Sequence, residues 1–254
     1  AQATELRSIS PWGASDELYM TYPTGACNHR WSNDGSKIAI FERLSSGFFG
    51  FVIRDAQGTL ISEQQKWVVA NCDFYAVWHH YNDDVILITR NGGVIEHWVA
   101  TGDTTEATLQ NAWDLPNEGE FRGIDLSPVT ETYVLATNMN GTWDIFTGLG
   151  NNNLRVTAAN ESQPRWSPSG EHVVFITDKD GTNDIYVMNV EDRSLRVITA
   201  SDADDVDPIW SPDGKWIVFA SNRNGNYDLY LASATGGESQ ALLQITTSPL
   251  DDRH

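Results

Sequence analysis

Along the second half of the chain, apolar residues come in short runs of six or seven, separated by turn-forming residues, and never at helical spacing. "EHVVFIT" (171–177) and "KWIVFAS" (215–221) are nearly continuous apolar runs rich in β-branched and aromatic side chains, as expected of a strand covered on both faces. Each is followed by an Asn/Asp-Gly turn, "DKDGTN" or "NRNGNY", and a second run, "DIYVMN" or "DLYLAS". Such a turn between two runs is a hairpin signal, because Asn, Asp and Gly accept positive φ. A further run, "SLRVIT" or "ALLQIT", completes each unit.

The two units are copies. "NESQPRWSPSGEHVVFITDKDGTNDIYVMN" and "DDVDPIWSPDGKWIVFASNRNGNYDLYLAS" share a Pro-flanked Trp, then Ser-Pro and Gly in a turn, then the strand pair. Weaker copies are "HRWSNDGSKIAIFER", "AVWHHYNDDVILITR" and "GIDLSPVTETYVLATNMNGTWDIF". Their anchors are Trp31, Trp78, Leu126, Trp166 and Trp210, separated by 47, 48, 40 and 44 residues. A period of about 40–50 residues with four short strands per unit predicts the blades of a β-propeller, since such a sheet buries its faces only against its neighbours.

The run P-x-W-S-P-D-G-K-x-I-x-F-x-S-x-R-x-G-x-x-D-L-Y in residues 208–230 resembles the WD40-like (PD40) repeat of TolB-type β-propellers. The match is close at Trp210 and Trp166, fair at Trp31 and degenerate at Trp78 and Leu126. The same blade resembles those of prolyl-oligopeptidase-like and tricorn-like peptidases and of some polysaccharide lyases, so the resemblance speaks for fold more than for function. The expected fold is all-β: one six-bladed propeller of four-stranded antiparallel blades spanning residues 1–254.

The sixth blade is expected to be built from both termini. "TELRSIS" and "DELYMTY" read as a hairpin, and "TTSPLDDRH" lines up with "ASDADDVD" ahead of Trp210, placing a sixth anchor at about residue 257. The inner half of that closing blade is therefore expected to be incomplete in this sequence, with its missing strands supplied by a continuation of the chain or by another polypeptide.

Thirty-five acidic against 16 basic residues give a net charge of −19, which repels nucleic-acid backbones and anionic membrane surfaces. No apolar run reaches the roughly 18 residues of a membrane-spanning helix. The start "AQATE" fits a mature end after signal-peptide cleavage. The resemblance to TolB implies a periplasmic setting and a protein partner at the mouth of the central channel, so a periplasmic or extracellular location is expected.

Five residues before each anchor, at the entrance to the innermost strand, stand Ala26, Asp73, Phe121, Glu161, Asp205 and, for the expected sixth blade, Asp252. Equivalent entrances share one mouth of the channel. Asp73, Glu161, Asp205 and Asp252 are thus candidates to bind a cation such as calcium, a basic peptide segment or a sugar, against the alternative of turn-capping carboxylates that face water. His29 and Arg30 lie near the same mouth and are the one base-and-cation pair a lyase would need there. Asp144, Asp184 and Asp228 are read as structural, bonding to amides of their own hairpins. "DKDGTND" begins like a calcium loop but lacks the terminal Glu. Trp113 is expected in a loop, free to stack on a sugar.

Catalytic signatures such as Gly-x-Ser-x-Gly and His-Glu-x-x-His do not occur. The expected role is therefore that of a non-catalytic binding or scaffold propeller, with no cofactor. The alternatives are a lyase-like or sugar-binding propeller acting on polysaccharide, and the propeller of a peptidase without its catalytic domain. Cys27 and Cys72 stand four and six residues before their anchors, in neighbouring entrances where a disulfide is within reach; two separate buried thiols are the alternative. A bridge would point to an oxidising compartment.

Overall fold

The structure is a computed structural model. It describes residues 4–9, 16–22, 27–32, 36–43, 49–55, 59–64, 74–78, 85–91, 94–100, 108–114, 120–130, 132–138, 141–147, 154, 158–237, 241–247 and 249–252. Before residue 120, side chains are described only for residues 32, 36–40, 52–55, 59–61 and 99. The described secondary structure is entirely β, and the chain falls into two compact units, residues 1–115 and 116–254.

The first unit holds a hairpin and two four-stranded antiparallel sheets. The hairpin pairs β1 (Thr4–Ile9) with β2 (Asp16–Tyr22). One sheet runs β3 (Cys27–Trp31), β4 (Lys37–Arg43), β5 (Phe49–Asp55) and β6 (Leu60–Gln64). The other runs β7 (Phe74–Trp78), β8 (Val85–Asn91), β9 (Val94–Ala100) and β10 (Thr108–Asp114). Trp113 is therefore a strand residue opposite Ile95, not a loop residue. The ladder with β9 continues to Asp114, opposite Val94.

The second unit contains three sheets. The first is β11 (Phe121–Leu126), β12 (Tyr133–Thr137) and β13 (Asp144–Thr147). The second is β14 (Glu161–Trp166), β15 (His172–Thr177), β16 (Asp184–Asn189) and β17 (Leu195–Val197), and the third is β18 (Asp205–Trp210), β19 (Trp216–Ser221), β20 (Asp228–Ser233) and β21 (Leu243–Gln244). Every sheet is a meander in chain order, and each of the five anchors is the last residue of its sheet's first strand. In the three-stranded sheet the Leu154 N–H donates to the Ile145 carbonyl at 2.8 Å, as Ile198 does to Ile185 and Ile245 to Leu229 at the fourth strands of the next two.

The repeated Ser-Pro turn has a specific physical task. The Ser after the anchor donates its N–H to the first residue of the returning strand or the residue before it, as in Ser167 to His172 and Ser211 to Trp216, both 2.8 Å. Its Oγ accepts the N–H of the same residue, at 3.1 Å from His172 and 2.9 Å from Trp216. Gly170 and Gly214 close these turns at φ of 70° and 69°, where a side chain would be strained.

Both faces of the middle sheet of this unit are buried, which accounts for the unbroken apolar reading of β15. Val173 and Phe175 pack with Val134, Ile145, Tyr186 and Met188 on one side. Val174 faces the other way, into Ile185, Val187, Ile217, Phe219 and Tyr230. Trp166 is 7% exposed inside the first of these clusters, and the half-buried Trp210 covers the second.

Each first strand of the unit also carries a β-bulge three residues before its anchor, at Gly123 (φ 75°), Gln163 (φ 51°) and Asp207 (φ 55°). Neighbouring bulges touch: the Gln163 Oε1 accepts the Asp207 N–H at 2.8 Å, and a Cβ on Gly123 would lie 2.9 Å from the Gln163 Cα. Gly123→Ala is thus both strained and overpacked, and it is expected to cost about 1–3 kcal/mol, read as a lower urea midpoint at unchanged slope. Gly141→Ala, at a positive-φ hairpin site with open space around it, is expected to cost less.

The hairpin β1–β2 has the expected partners, Thr4 opposite Tyr22 through Ile9 opposite Asp16. It forms a sheet of two strands, and residues 247 and 249–252 enter no strand. The N–H of Asp252 is instead taken by the Tyr227 carbonyl at 2.6 Å.

Candidate functional site

The first strands of the second unit begin at one common end, where the sequence placed its carboxylates. The position five before the anchor is equivalent from sheet to sheet: the N–H of Glu161 donates to the Trp143 carbonyl at 2.8 Å, that of Asp205 to Asn183 at 2.8 Å, and that of Asp252 to Tyr227 at 2.6 Å. In each case the acceptor stands just before the Asp that opens the third strand of the preceding sheet. Asp252 therefore occupies the place that Glu161 and Asp205 hold at the start of β14 and β18.

The residue before each of these makes the return bond. Asn160 Oδ1, Asp204 Oδ1 and Asp251 Oδ1 accept the N–H groups of Trp143, Asn183 and Tyr227 at 3.3, 3.2 and 3.0 Å. The sheets of the first two hold them in turn: Asp178 accepts the Asn160 N–H at 2.8 Å and Asn222 that of Asp204 at 2.9 Å, and Asn138 accepts the N–H of Glu120, at the same place in the first sheet, at 2.7 Å. The result is a clasp that joins successive sheets at this end. The clasp is legible in part from the sequence, because Asn or Asp stands both six before and twelve after Trp166 and Trp210, one position ahead of the carboxylates Glu161 and Asp205.

Glu161 and Asp205 are fully buried, so these two carboxylates do not stand open to water. Asp205 is neutralised within its own sheet: Arg223 Nη2 lies 2.8 Å from its Oδ1, while Arg223 Nε donates to Ser221 Oγ at 2.8 Å. The guanidinium sits over the Tyr230 ring at 4.7 Å. The equivalent of Arg223 next to Glu161 is Lys179, which is exposed.

Asp144, Asp184 and Asp228 are buried and structural. Asp144 stays within its own hairpin, accepting from Thr142 Oγ1 at 3.4 Å, whereas the other two reach further. Asp184 Oδ1 accepts the N–H of Ser201, seventeen residues on, at 3.1 Å, and Asp228 accepts from Gln244 Nε2 at 3.0 Å. Asp184 thus ties the third strand to the segment after the fourth, and Asp228 ties it to the fourth strand itself, because burial removes water and leaves those amides as the donors in reach. Burial is also the main cause that pushes the Asp184 carboxyl up to about 6, with the Asp205 charge adding to it.

Asp73 and Cys72 lie outside the described residues. Cys27, His29 and Arg30 are placed on β3, opposite Phe41, Ile40 and Ala39, and their side chains lie outside the described set. Among the described residues no three His, Cys, Asp or Glu side chains come together as a metal ion would require. "DKDGTND" is the β15–β16 hairpin, closed by the Gly181 N–H on the Asp178 carbonyl at 3.0 Å. No helix among the described residues is long and apolar enough to cross a membrane.

With the sheets and their anchors in place, the resemblance read from the repeat is supported by comparison. Residues 127–248 match the family model described as TolB beta propeller domain. Among solved structures, the chain is similar to "putative TolB from Agrobacterium tumefaciens", at TM-score 0.74 and 16% identity over 97% of this chain and 90% of that one. It is also similar to TolB from Acinetobacter baumannii, at TM-score 0.64 and 17% identity over 87% and 55% of the two chains. The β-propeller domain of the trilobed protease from Pyrococcus furiosus gives TM-score 0.63 and 12% identity over 96% and 76%. No curated protein sequence matches. At these identities the solved structures speak for the propeller fold alone.

The buried carboxylates make two expected outcomes measurable. Arg223→Met leaves Asp205 buried without its cation and is expected to cost about 3–5 kcal/mol, whereas adding Asp205→Asn should recover most of the loss in a double-mutant cycle. For Asp184, the folded-state pKa of about 6 lies above the ordinary value of 3.8, so the folded form binds the extra proton between them. Its contribution to stability is favourable at the acid end, falls as pH rises from about 4 to about 6, and is level above that. Asp184→Asn, which keeps the acceptor oxygen, should therefore gain stability relative to the parent across this window in urea melts; a pH-independent difference overturns the assignment.

Proposed function

We propose that the chain is a non-catalytic, exported binding propeller that engages a basic segment of a protein partner at the end where its first strands begin. The observation that carries this reading is the clasp: the polar groups of the strand entrances are engaged in sheet-to-sheet hydrogen bonds, so they make a stiff frame rather than reacting groups. Around that frame stand water-exposed carboxylates, including Glu120, Asp180, Asp202 and Asp251, in a chain of net charge −19. Such a rim favours a cationic ligand and speeds its encounter.

In this reading residues 1–254 form one six-bladed ring whose sixth blade draws on β1, β2 and the segment from Asp252 onward. Asp73, His29 and Arg30 then belong to the same mouth by register. The likeness to TolB supports a periplasmic location and a protein partner. The likeness to a protease's propeller domain supports a second reading, in which the ring serves a peptidase; there the mouth would bind a catalytic domain.

The test uses the chain as bait against the periplasmic fraction of its source cells, in parallel with two double variants. Asp180→Lys with Asp202→Lys, at the entrance end, should lose a stoichiometrically retained protein. Glu171→Lys with Asp192→Lys, at the opposite end, should keep it. Retention by the first pair and loss by the second would refute the placement.

A further inference from the structure

At the opposite end of the second unit, where the Ser-Pro turns lie, a cavity of about 490 Å³ opens between the β14–β17 and β18–β21 sheets. Its floor and walls include Trp210, Trp216, His172 and Arg196. Trp216 is the first residue of β19 and is 44% exposed, although nothing in the sheet requires an indole at a strand end facing water. Trp210 is half-buried, with its Nε1 donating to the Arg165 carbonyl at 3.2 Å, and the His172 ring is tilted against it at 6.5 Å.

Arg196 is half-buried and spends one nitrogen, Nη1, on the Ala234 carbonyl at 3.1 Å. It forms no ion pair among the described residues. Ala234 comes directly after Ser233, the cross-strand partner of Trp216, so the guanidinium and the exposed indole border the same opening. Lys215 is exposed and paired with Asp213 at 3.4 Å, and the His172 imidazole is held toward its neutral form by burial and by the Arg196 charge. The carboxylates nearby are Glu171 and Asp192, both exposed and screened by water, and Asp213, which is engaged with Ser211 Oγ at 2.7 Å and the Lys215 N–H. The rim carries hydroxyls, with Ser233 Oγ and Thr235 Oγ1 2.8 Å apart.

An indole face offers stacking to the C–H face of a sugar ring, and a guanidinium not taken by a carboxylate offers two parallel N–H donors to one. Hydroxyls on the rim suit a polyhydroxylated ligand better than an apolar peptide. From this juxtaposition we infer that the groove binds an acidic oligosaccharide, with one ring on Trp216 and a uronate carboxylate on Arg196. The site is separate from the entrance end and does not depend on the partner assigned there.

The probe is trigalacturonate, with its fully methyl-esterified form as the control that keeps the ring and blocks the charge. Titration followed by tryptophan fluorescence and calorimetry should show the acid binding at least tenfold more tightly than the ester. Arg196→Gln is expected to bring the acid down to the ester's affinity, Arg196→Lys to retain part of the difference, and Trp216→Ala to weaken both at least tenfold. Thermal melts of each variant serve as the check on folding, and the Lys variant keeps the charge where Gln removes it. No binding of either sugar, equal binding of acid and ester, or affinities unmoved by Arg196→Gln and Trp216→Ala would each overturn the assignment. So would preferential binding of a tripeptide ending in phenylalanine, which offers an aromatic ring and a carboxylate without the sugar.

Discussion

The structure depends on a sheet that is apolar on both faces. Val173 and Phe175 point one way and Val174 the other from the same strand, so the β14–β17 sheet has no water-facing side and is stable only between two neighbours. Burial of this kind supplies attraction without direction. Direction comes from polar contacts at the ends of the first strands: the Asn160, Asp204 and Asp251 side chains each capture a backbone N–H of the preceding sheet, and Asn160 and Asp204 are held in turn by Asp178 and Asn222 of their own sheets. The bulges at Gly123, Gln163 and Asp207 set the close approach of the first strands on which these contacts rely.

This division of labour explains why so acidic a chain tolerates carboxylates in its interior. Asp205 is matched by Arg223, and Asp184 by the amide of Ser201. Exposed carboxylates such as Asp180, Asp192 and Asp202 stand on the turns at both ends, where water screens them. The two ends differ in chemistry. The entrance end is framed by fastened Asn and Asp residues with an acidic rim. The Ser-Pro end is a groove with tryptophan and an arginine that, among the described residues, has no carboxylate partner.

Much of the fold was legible without coordinates. The anchors Trp31, Trp78, Leu126, Trp166 and Trp210 all close first strands, because the Ser-Pro-Gly turn next to the best of them is local chemistry, written in adjacent residues. Hairpins such as Asp178–Gly181 and the terminal pair β1–β2 were legible for the same reason. What failed was whatever depends on distance across sheets. Local spacing assigns Asp184 to its own hairpin, yet it bonds Ser201; it assigns Trp113 to a loop, yet that residue extends a ladder with β9.

The sequence by itself determined the period, the strands, the turns and the equivalence of Glu161, Asp205 and Asp252, since periodicity and turn propensity act over a few residues. Only the tertiary structure decided which of those carboxylates are buried and what neutralises them. It also decided that Arg196 and Trp216, far apart in the chain and on different sheets, face one groove. The reason is that charge pairing and cavity shape are set by which sheet faces meet, and a side chain's neighbours across an interface leave no trace in its own stretch of chain.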